Sequence, residues 1–261
     1  MCHSRALALV LSALSLGACG VSEEQEVSAG RENAAQINAR MPLVRDPVVS
    51  QYVQDLGLSI ARTTSRADLD WRFFIVNSHD INAFALPGGY IYVNRGLIER
   101  ADRLDQLAGA LGHEIGHVVR RHSAEQMKKA QGANVAVTLT CTVTRICDNS
   151  VAQAAIQVGG AALFAKYSRQ DEQEADAEAV DNVIRAGIHP EGIPALFERL
   201  IAERRASPMA IEAFFASHPL EEDRVRESER MIAALDPSSL QGLARDLPSY
   251  AAFRARLASL R

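Results

Sequence analysis

The feature that most restricts the fold of this 261-residue chain is a histidine pair, His113 and His117, with Glu114 directly after the first. At 100° per residue, the two imidazoles lie about 40° apart on a helical wheel and share one face. The apolar residues of the same stretch lie on the opposite face, about 120–200° from His113; they are Leu104, Leu107, Leu111, Ile115 and Val118. Histidines buried in the core would lie on the apolar face of the helix. The pattern therefore predicts a helix from about Asp102 to His122 whose histidines face a cleft.

Histidines one helical turn apart can bind a single tetrahedral zinc ion at ~2.0–2.1 Å. A catalytic zinc site has three protein ligands and leaves the fourth position to water. Glu114 points about 100° away from His113, so it is better placed to act on that water than on the metal. We expect one Zn²⁺ per chain, bound by His113 and His117. Glu114 is then the general base, and afterwards the proton donor to the leaving amine.

The same helix does not supply the third metal ligand. The metzincin pattern requires glycine at position 120 and histidine at position 123, where this chain has Arg120 and Ser123. His122 lies about 180° from His113 on the wheel and cannot reach the same ion. The third ligand is therefore expected from another segment.

An acidic stretch at residues 168–176, SRQDEQEAD, is the obvious source of that ligand. Glu172 and Asp176 are four residues apart and share a helical face, whereas Glu174 points about 200° away from Glu172. We expect Glu172 to bind zinc and Asp176 to accept the other N–H of a ligand histidine. Glu174 and Glu178 are expected to face solvent.

Four stretches in this order resemble metallopeptidase family 48, a gluzincin family, and especially its small periplasmic lipoprotein proteases. They are NAFALPGGYIYVNRGLI (82–98), LGHEIGHVVRRH (111–122), SRQDEQEAD (168–176) and SHPLEEDR (217–224). The resemblance extends from about residue 45 to 230. It implies an α+β fold, a mainly helical zincin-like domain with a small β-sheet whose edge strand flanks the zinc cleft. The family pattern E-x-x-x-D also implies Glu172 as the third ligand and Asp176 beside it.

The resemblance gives roles to two further segments. It implies an active-site edge strand whose backbone pairs with an extended substrate, formed by Asn82, Ala83, Phe84 and Ala85. His218 and Arg224 match the family segment H-P-x-x-x-x-R, in which the histidine lies near the zinc. His218 then either stabilises the tetrahedral oxyanion or occupies the open metal position in a latent form. Without the resemblance, His218 is a helix-start histidine and the strand belongs to an ordinary hairpin.

The N-terminus resembles a bacterial lipoprotein signal peptide over residues 1–18. Its apolar run, Ala6 to Leu16, has eleven residues, which suits a secretory signal but is too short to span a bilayer, since spanning needs about 20. The following Gly17-Ala18-Cys19 resembles a lipobox, so we expect Cys19 to carry the lipid. Plain secretion is the alternative. Gly20, where inner-membrane retention would favour Asp, points to the outer membrane.

The expected domain organisation is therefore a signal peptide at 1–18, a lipidated N-terminus and polar tether at 19–40, and a metallopeptidase domain at 41–261. Cys141 and Cys147 either form a disulfide in the oxidising envelope or remain two buried thiols. In a continuous helix they would be about 9 Å apart along the axis, too far for a bridge, so bonding requires a bend.

The remaining pattern predicts helices opened by Asp46-Pro47 and His189-Pro190 and strands within 71–77 and 81–94. The net charge is −4 without a basic block, so nucleic-acid binding is not expected. We expect neither the transmembrane helices of the prenyl endopeptidases nor a tetratricopeptide module after residue 230.

The leading hypothesis is a zinc metalloendopeptidase held by its lipid on the periplasmic side of the outer membrane. The resemblance implies unfolded or misfolded envelope proteins as substrates and the outer-membrane assembly machinery as a partner. The alternative from another class is a zinc-containing chaperone or assembly factor that binds outer-membrane proteins without cutting them. Glu114 argues against it, because binding alone needs no general base. Hydrolysis of a non-peptide amide is a third reading, against which only the proposed edge strand speaks.

Overall fold

A computed structural model of the chain describes residues 22–126, 166–219 and 222–260. The helices are α1 (Glu23–Arg40), α2 (Pro47–Ala61), α3 (Arg95–Arg100), α4 (Leu104–Val119), α5 (Arg169–Arg185), α6 (Gly192–Ala206), α7 (Pro208–Ser217), α8 (Glu222–Ala233) and α9 (Pro248–Ser259), with a 3₁₀ turn at Pro237–Leu240. The strands are β1 (Arg72–Val76), β2 (Ala83–Leu86) and β3 (Tyr90–Asn94). This mainly helical arrangement with one small sheet confirms the α+β class. The predicted signal peptide, Cys19, Cys141 and Cys147 lie outside the described residues.

The sheet has the strand order β1-β3-β2, so β2 is an edge strand. β1 is parallel to β3, and β2 is antiparallel to it. The turn between β2 and β3 contains Gly88 and Gly89 at φ values of 78° and 95°, a left-handed conformation that glycine adopts without steric cost. The predicted Pro-Gly-Gly turn therefore forms the hairpin.

The two faces of the sheet pack in different cores because side chains alternate along a strand. Ala83 and Ala85 of β2 belong to the main core, which also contains the apolar stripes of α2 and α4. Phe84 and Leu86 point to the other face, where they pack in a smaller cluster with Ile37 of α1. The sheet thus lies between α1 and the helical body that carries the site.

Helix α1 differs from the expected polar tether. It begins with a capping box in which Ser22 and Gln25 each bond the other's backbone N–H. Gly30, Ala34 and Ile37 are buried along one narrow face. The sequence lacks the apolar stripe of an amphipathic helix here, because two of those three residues are small and the rest of the segment is strongly polar. Hydropathy alone therefore indicates a tether where the chain forms a docked helix.

Helix α4 has the predicted amphipathic pattern, and it packs closely against α5 along a seam of small residues. A Cβ on Gly116 would lie 2.8 Å from the carbonyl oxygen of Ala175, and one on Gly112 would lie 3.4 Å from the Cβ of Ala179. Glycine and alanine at i and i+4 on the two helices therefore allow close approach of the backbones. This approach brings the histidines of α4 to the carboxylates of α5.

The last described helix, α9, packs against α2. The rings of Phe253 and Tyr52 stack with centroids 4.4 Å apart, and Tyr250 Oη donates to the carbonyl oxygen of Ala101 at 2.7 Å. The predicted helix start at Asp46-Pro47 is confirmed, with Asp46 accepting from the Val49 N–H at 3.0 Å. No helix within the described ranges has both the length and the apolar character needed to cross a bilayer.

Candidate metal centre

Four side chains from three segments meet between α4, α5 and the end of α7. His113, His117, Glu172 and His218 each offer one ligand atom, and these atoms all lie within 4.8 Å of one another. None of the four residues is more than 3% exposed. The expected cleft-facing histidines are therefore covered, because α5 and the His218 segment lie over them.

The spacing of these atoms matches that of ligands around one tetrahedral ion. Ligands at ~2.0–2.1 Å from such an ion lie about 3.3 Å from one another. His113 Nε2 is 3.0 Å from His117 Nε2 and 3.5 Å from Glu172 Oε2. His117 Nε2 is 3.4 Å from Glu172 Oε1. The structure thus brings together the three residues predicted as ligands, at distances that a zinc ion can bridge.

The polar environment of His113 favours a positive charge between the three ligands. Its Nδ1 lies 2.8 Å from Asp176 Oδ1, so a neutral ring that donates there presents a lone pair at Nε2. Burial alone would lower the pKa of His113, but the charges of Glu172 and Asp176 outweigh it and raise the pKa to about 9. Burial and the neighbouring charge of His113 hold the pKa of His117 well below its usual value. A divalent ion can therefore replace the proton that His113 otherwise binds.

Arg224 fixes both carboxylates of α5. Its Nε donates to Asp176 Oδ2 at 2.8 Å and its Nη2 to Asp176 Oδ1 at 2.7 Å, a bidentate geometry that suits a buried pair. Arg224 Nη1 also pairs with Glu172. Burial raises the pKa of Glu172, but the positive charges of His218, Arg224 and His113 outweigh it and hold the pKa well below the usual value. Glu172 is therefore ionised at neutral pH, as a metal ligand must be.

Glu114 lies beside the cluster with an unsatisfied oxygen. The residue is 1% exposed, and its Oε2 has no hydrogen-bond partner in the part of the chain that the structure describes. Its Oε1 is 3.6 Å from His218 Nε2. Burial raises the pKa of this carboxyl above its ordinary value, toward the range in which a general base works best at neutral pH. Buried polar atoms normally have hydrogen-bond partners. Glu114 Oε2 is therefore available to a partner other than these side chains.

His218 occupies a position in the cluster rather than a peripheral helix start. Its Nδ1 lies 3.1 Å from Glu172 Oε1 and 3.3 Å from His113 Nε2. These distances lie within the range of 3.0–3.5 Å found between the other candidate ligands. In this conformation His218 therefore stands where a fourth ligand would be.

Two residues without a predicted role at the site contact His117. His122 Nδ1 lies 2.9 Å from His117 Nδ1, and the Tyr167 ring stacks on the His117 ring with centroids 3.9 Å apart. His122 is not part of the four-residue cluster, but α4 ends at Val119 and a turn brings the His122 ring to His117. Glu174, expected to face solvent, lies 3.5 Å from His122 Nε2. The signal available in the sequence was the third histidine itself, five residues after His117.

The predicted substrate strand is β2, at the edge of the sheet, and it packs against α4. Among the described strands, β2 pairs only with β3, and Asn82 accepts from the Asn94 N–H at 2.9 Å just before the strand begins. Asn82 Oδ1 is buried without a hydrogen-bond partner among the described residues. The strand's four side chains are buried, so only its backbone edge is suited to pairing with another strand.

The chain is similar in sequence to several known proteases. The chain is 30% identical to the beta-barrel assembly-enhancing protease of Escherichia coli (strain K12) over 227 residues, which cover 83% of this chain and 46% of that protein. It is 29% identical to the mitochondrial metalloendopeptidase OMA1 of Schizosaccharomyces pombe over 181 residues, 69% of this chain and 52% of that protein. It is 31% identical to metalloprotease YcaL of Escherichia coli (strain K12) over 156 residues, 59% of each chain. This chain thus spans about half the length of these relatives.

The profile of peptidase family M48 matches residues 47–232. That range contains all four residues of the cluster, together with Glu114, Asp176 and Arg224. It begins after α1 and ends before α9. Because the match covers most of the chain and its whole candidate site, the chain belongs to peptidase family M48, a family of metal-dependent proteases.

Proposed function

We propose that the protein is a zinc metalloendopeptidase. The observation that supports this most strongly is the meeting of His113, His117 and Glu172 at ligand spacing, with the unsatisfied carboxylate of Glu114 beside them. Two histidines and one glutamate form a ligand set found in catalytic zinc sites. A purely structural zinc site would have no use for a buried base such as Glu114 beside its ligands.

Each residue has a distinct task in this proposal. Bound zinc supplies a Lewis acid that makes water nucleophilic at neutral pH and polarises the peptide carbonyl. Glu114 accepts the proton of the attacking water and returns it to the leaving amine. Asp176 fixes the His113 ring through Nδ1, and Arg224 fixes Asp176. Such outer contacts keep ligand rings in the orientation that binding requires.

The substrate is proposed to be an unfolded or misfolded protein of the bacterial envelope. An extended segment would add to the outer edge of β2, with backbone hydrogen bonds giving affinity for many sequences. Similarity to a beta-barrel assembly-enhancing protease supports a place near outer-membrane protein assembly. The predicted lipid on Cys19 would hold the protein at the outer membrane, facing the periplasm.

The direct test compares wild-type protein with Glu114→Gln on unfolded casein. Loss of the general base is expected to lower hydrolysis by ~10²–10⁴-fold, while zinc content and the circular dichroism spectrum stay unchanged. Glu198→Gln, the same chemical change at an exposed residue of α6, serves as the control and is expected to keep full activity. Equal hydrolysis by wild type and Glu114→Gln would refute the role of Glu114.

A zinc-containing chaperone or assembly factor is the second candidate. It is favoured by one observation, namely that His218 and α5 cover the cluster in this conformation. On that hypothesis, wild type and Glu114→Gln suppress aggregation of an unfolded outer-membrane protein equally, and neither one cleaves it. Cleavage by wild type alone would exclude this alternative.

A further inference from the structure

Outside the metal cluster, a buried carboxylate with two arginine partners joins α1 to the end of α4. Glu26 of α1 is 1% exposed. Its Oε1 accepts from Arg66 Nη1 at 2.7 Å, and its Oε2 accepts from Arg121 Nε at 2.6 Å. Removing one partner of a buried ion pair leaves a costly unpaired charge. The carboxylate of Glu26 therefore fixes two guanidinium groups from different segments.

The guanidinium group of Arg66 contacts α4, the helix that contains His113 and His117. Arg66 Nη1 donates a second hydrogen bond to the carbonyl oxygen of Val118 at 2.9 Å. Val118 follows His117, and the last carbonyls of a helix lack partners within the helix. Arg66 thus supplies a hydrogen-bond donor to the C-terminal end of α4, at the residue next to the candidate ligand His117.

The other group stabilises an unusual turn. Arg121 has a φ of 59°, in the left-handed region that a residue other than glycine occupies only where its surroundings hold it. Its Nε contact with Glu26 supplies such a restraint. This turn separates α4 from a helical segment that begins at His122, whose Nδ1 lies 2.9 Å from His117 Nδ1. Glu26 is therefore linked to His117 by two routes. Through Arg66 it contacts the end of α4, and through Arg121 it contacts the turn before His122.

Helix α1 itself has a fixed position on the fold. A Cβ on Gly30 would lie 1.8 Å from the carbonyl oxygen of Pro87 in the β2–β3 turn. Tyr92 Oη donates to Asn38 Oδ1 at 2.9 Å. Both contacts hold α1 against the hairpin that contains the edge strand. The helix nevertheless precedes residues 47–232, which match the family.

We propose that Glu26 is a positioning residue for the metal site. Acting through Arg66 and Arg121, it fixes the turn at residues 119–122 and with it the orientation of His117 and His122. Helix α1 is then part of the functional unit rather than a spacer. The consequence for metal affinity rests on the proposed function, whereas the consequence for the turn does not.

Amide hydrogen exchange of the metal-free protein tests the effect on the turn. Glu26→Gln keeps the shape of the side chain but removes its charge. The amides of Arg120 and Arg121, which bond to the carbonyls of Gly116 and Val118, are expected to exchange roughly tenfold faster, as loss of one charged hydrogen bond implies. Glu24→Gln, an exposed residue of the same helix, is the matched control and should behave as wild type.

Zn²⁺ affinity, measured by competition with a chelator, tests the effect on the site. Glu26→Gln is expected to bind Zn²⁺ about tenfold more weakly, the lower end of what outer partners of metal ligands contribute. If it does not fold, Arg121→Asn decides, because asparagine tolerates the left-handed turn but cannot reach Glu26. It is expected to shift exchange and affinity in the same direction.

Exchange and affinity equal to those of Glu24→Gln in the folded variants would overturn the proposal, even if their melting temperatures fell. A wild-type protein that binds no Zn²⁺, but whose turn still responds to Glu26→Gln, would refute the proposed function and leave the positioning of the turn intact.

Discussion

At the scale of single residues, His113 makes the metal-free protein sensitive to pH. Its pKa of about 9 in the fold lies above the ordinary value of 6.5. The stability that protonated His113 contributes is therefore complete below pH 6.5 and is lost as the pH rises through about 9. We expect the melting temperature of metal-free protein to fall across this window.

Zinc-loaded protein provides the control for that experiment, because bound zinc keeps the imidazole neutral at every pH of the window. Its melting temperature is expected to change less between pH 6.5 and 9 than that of metal-free protein. Parallel curves for the two forms, recorded by circular dichroism, would contradict the assignment of His113 as a ligand.

His122 is expected to strengthen zinc binding without touching the ion. Its contact with His117 Nδ1 at 2.9 Å fixes the orientation of that ring. Partners of this kind contribute ~10–100-fold to metal affinity, so His122→Ala should weaken Zn²⁺ binding by about that factor. His79→Ala is the control, since His79 is exposed and pairs with Glu99 away from the site. Equal affinities for the two variants would show that the contact has no such role.

A variant at His218 distinguishes the two roles proposed for this residue. Its Nδ1 lies as far from Glu172 Oε1 and His113 Nε2 as two ligands of one zinc ion lie from each other. It therefore stands in the position that a catalytic zinc leaves to water. We therefore expect His218→Ala to hydrolyse unfolded casein severalfold faster than wild type. A collapse of activity would instead favour the alternative in which His218 stabilises the oxyanion.

At the scale of elements, the seam between α4 and α5 determines whether the ligands can meet. Alanine is favoured over glycine by about 1 kcal/mol in an isolated helix. A Cβ on Gly116 would, however, lie 2.8 Å from the backbone oxygen of Ala175, and such overpacking costs ~1–3 kcal/mol. We expect Gly116→Ala to lower the melting temperature and weaken Zn²⁺ binding, because Glu172 moves away with α5.

Gly112→Ala is the matched comparison on the same helix face. There the new Cβ would meet the side-chain methyl group of Val183 at 3.2 Å, and a side chain can shift by a few tenths of an ångström. Its effect on melting temperature and zinc affinity is expected to be smaller. Identical behaviour of the two variants would show that the seam does not control the site.

The elements also differ in how far the sequence predicts them. α2, α4 and the hairpin carry strong local signals, namely a capping Asp-Pro pair, a wide apolar stripe and a Pro-Gly-Gly turn. α1 has only a narrow buried face of small residues, so its helix depends on tertiary contacts that hydropathy does not reveal. The contacts of His122 and Tyr167 with His117 are also absent from the local pattern, since one depends on the turn after α4 and the other on the packing of the segment before α5.

At the scale of the whole molecule, the fold collects the site from distant parts of the chain. His113 and His117 come from α4, Glu172 from α5 and His218 from the segment after α7. A sequence motif can suggest each of these, but only the seam between helices and the packing of α7 set their distances. The helices outside the family match, α1 and α9, pack against this body from two sides.

Metal analysis of the purified protein tests the central claim most directly. Wild type and Glu114→Gln are expected to contain one zinc ion per chain, whereas Glu172→Ala, which loses the ligand from α5, should contain little. Zinc in Glu172→Ala at the wild-type level, or its absence from folded wild-type protein, would contradict the claim that these three side chains bind one ion.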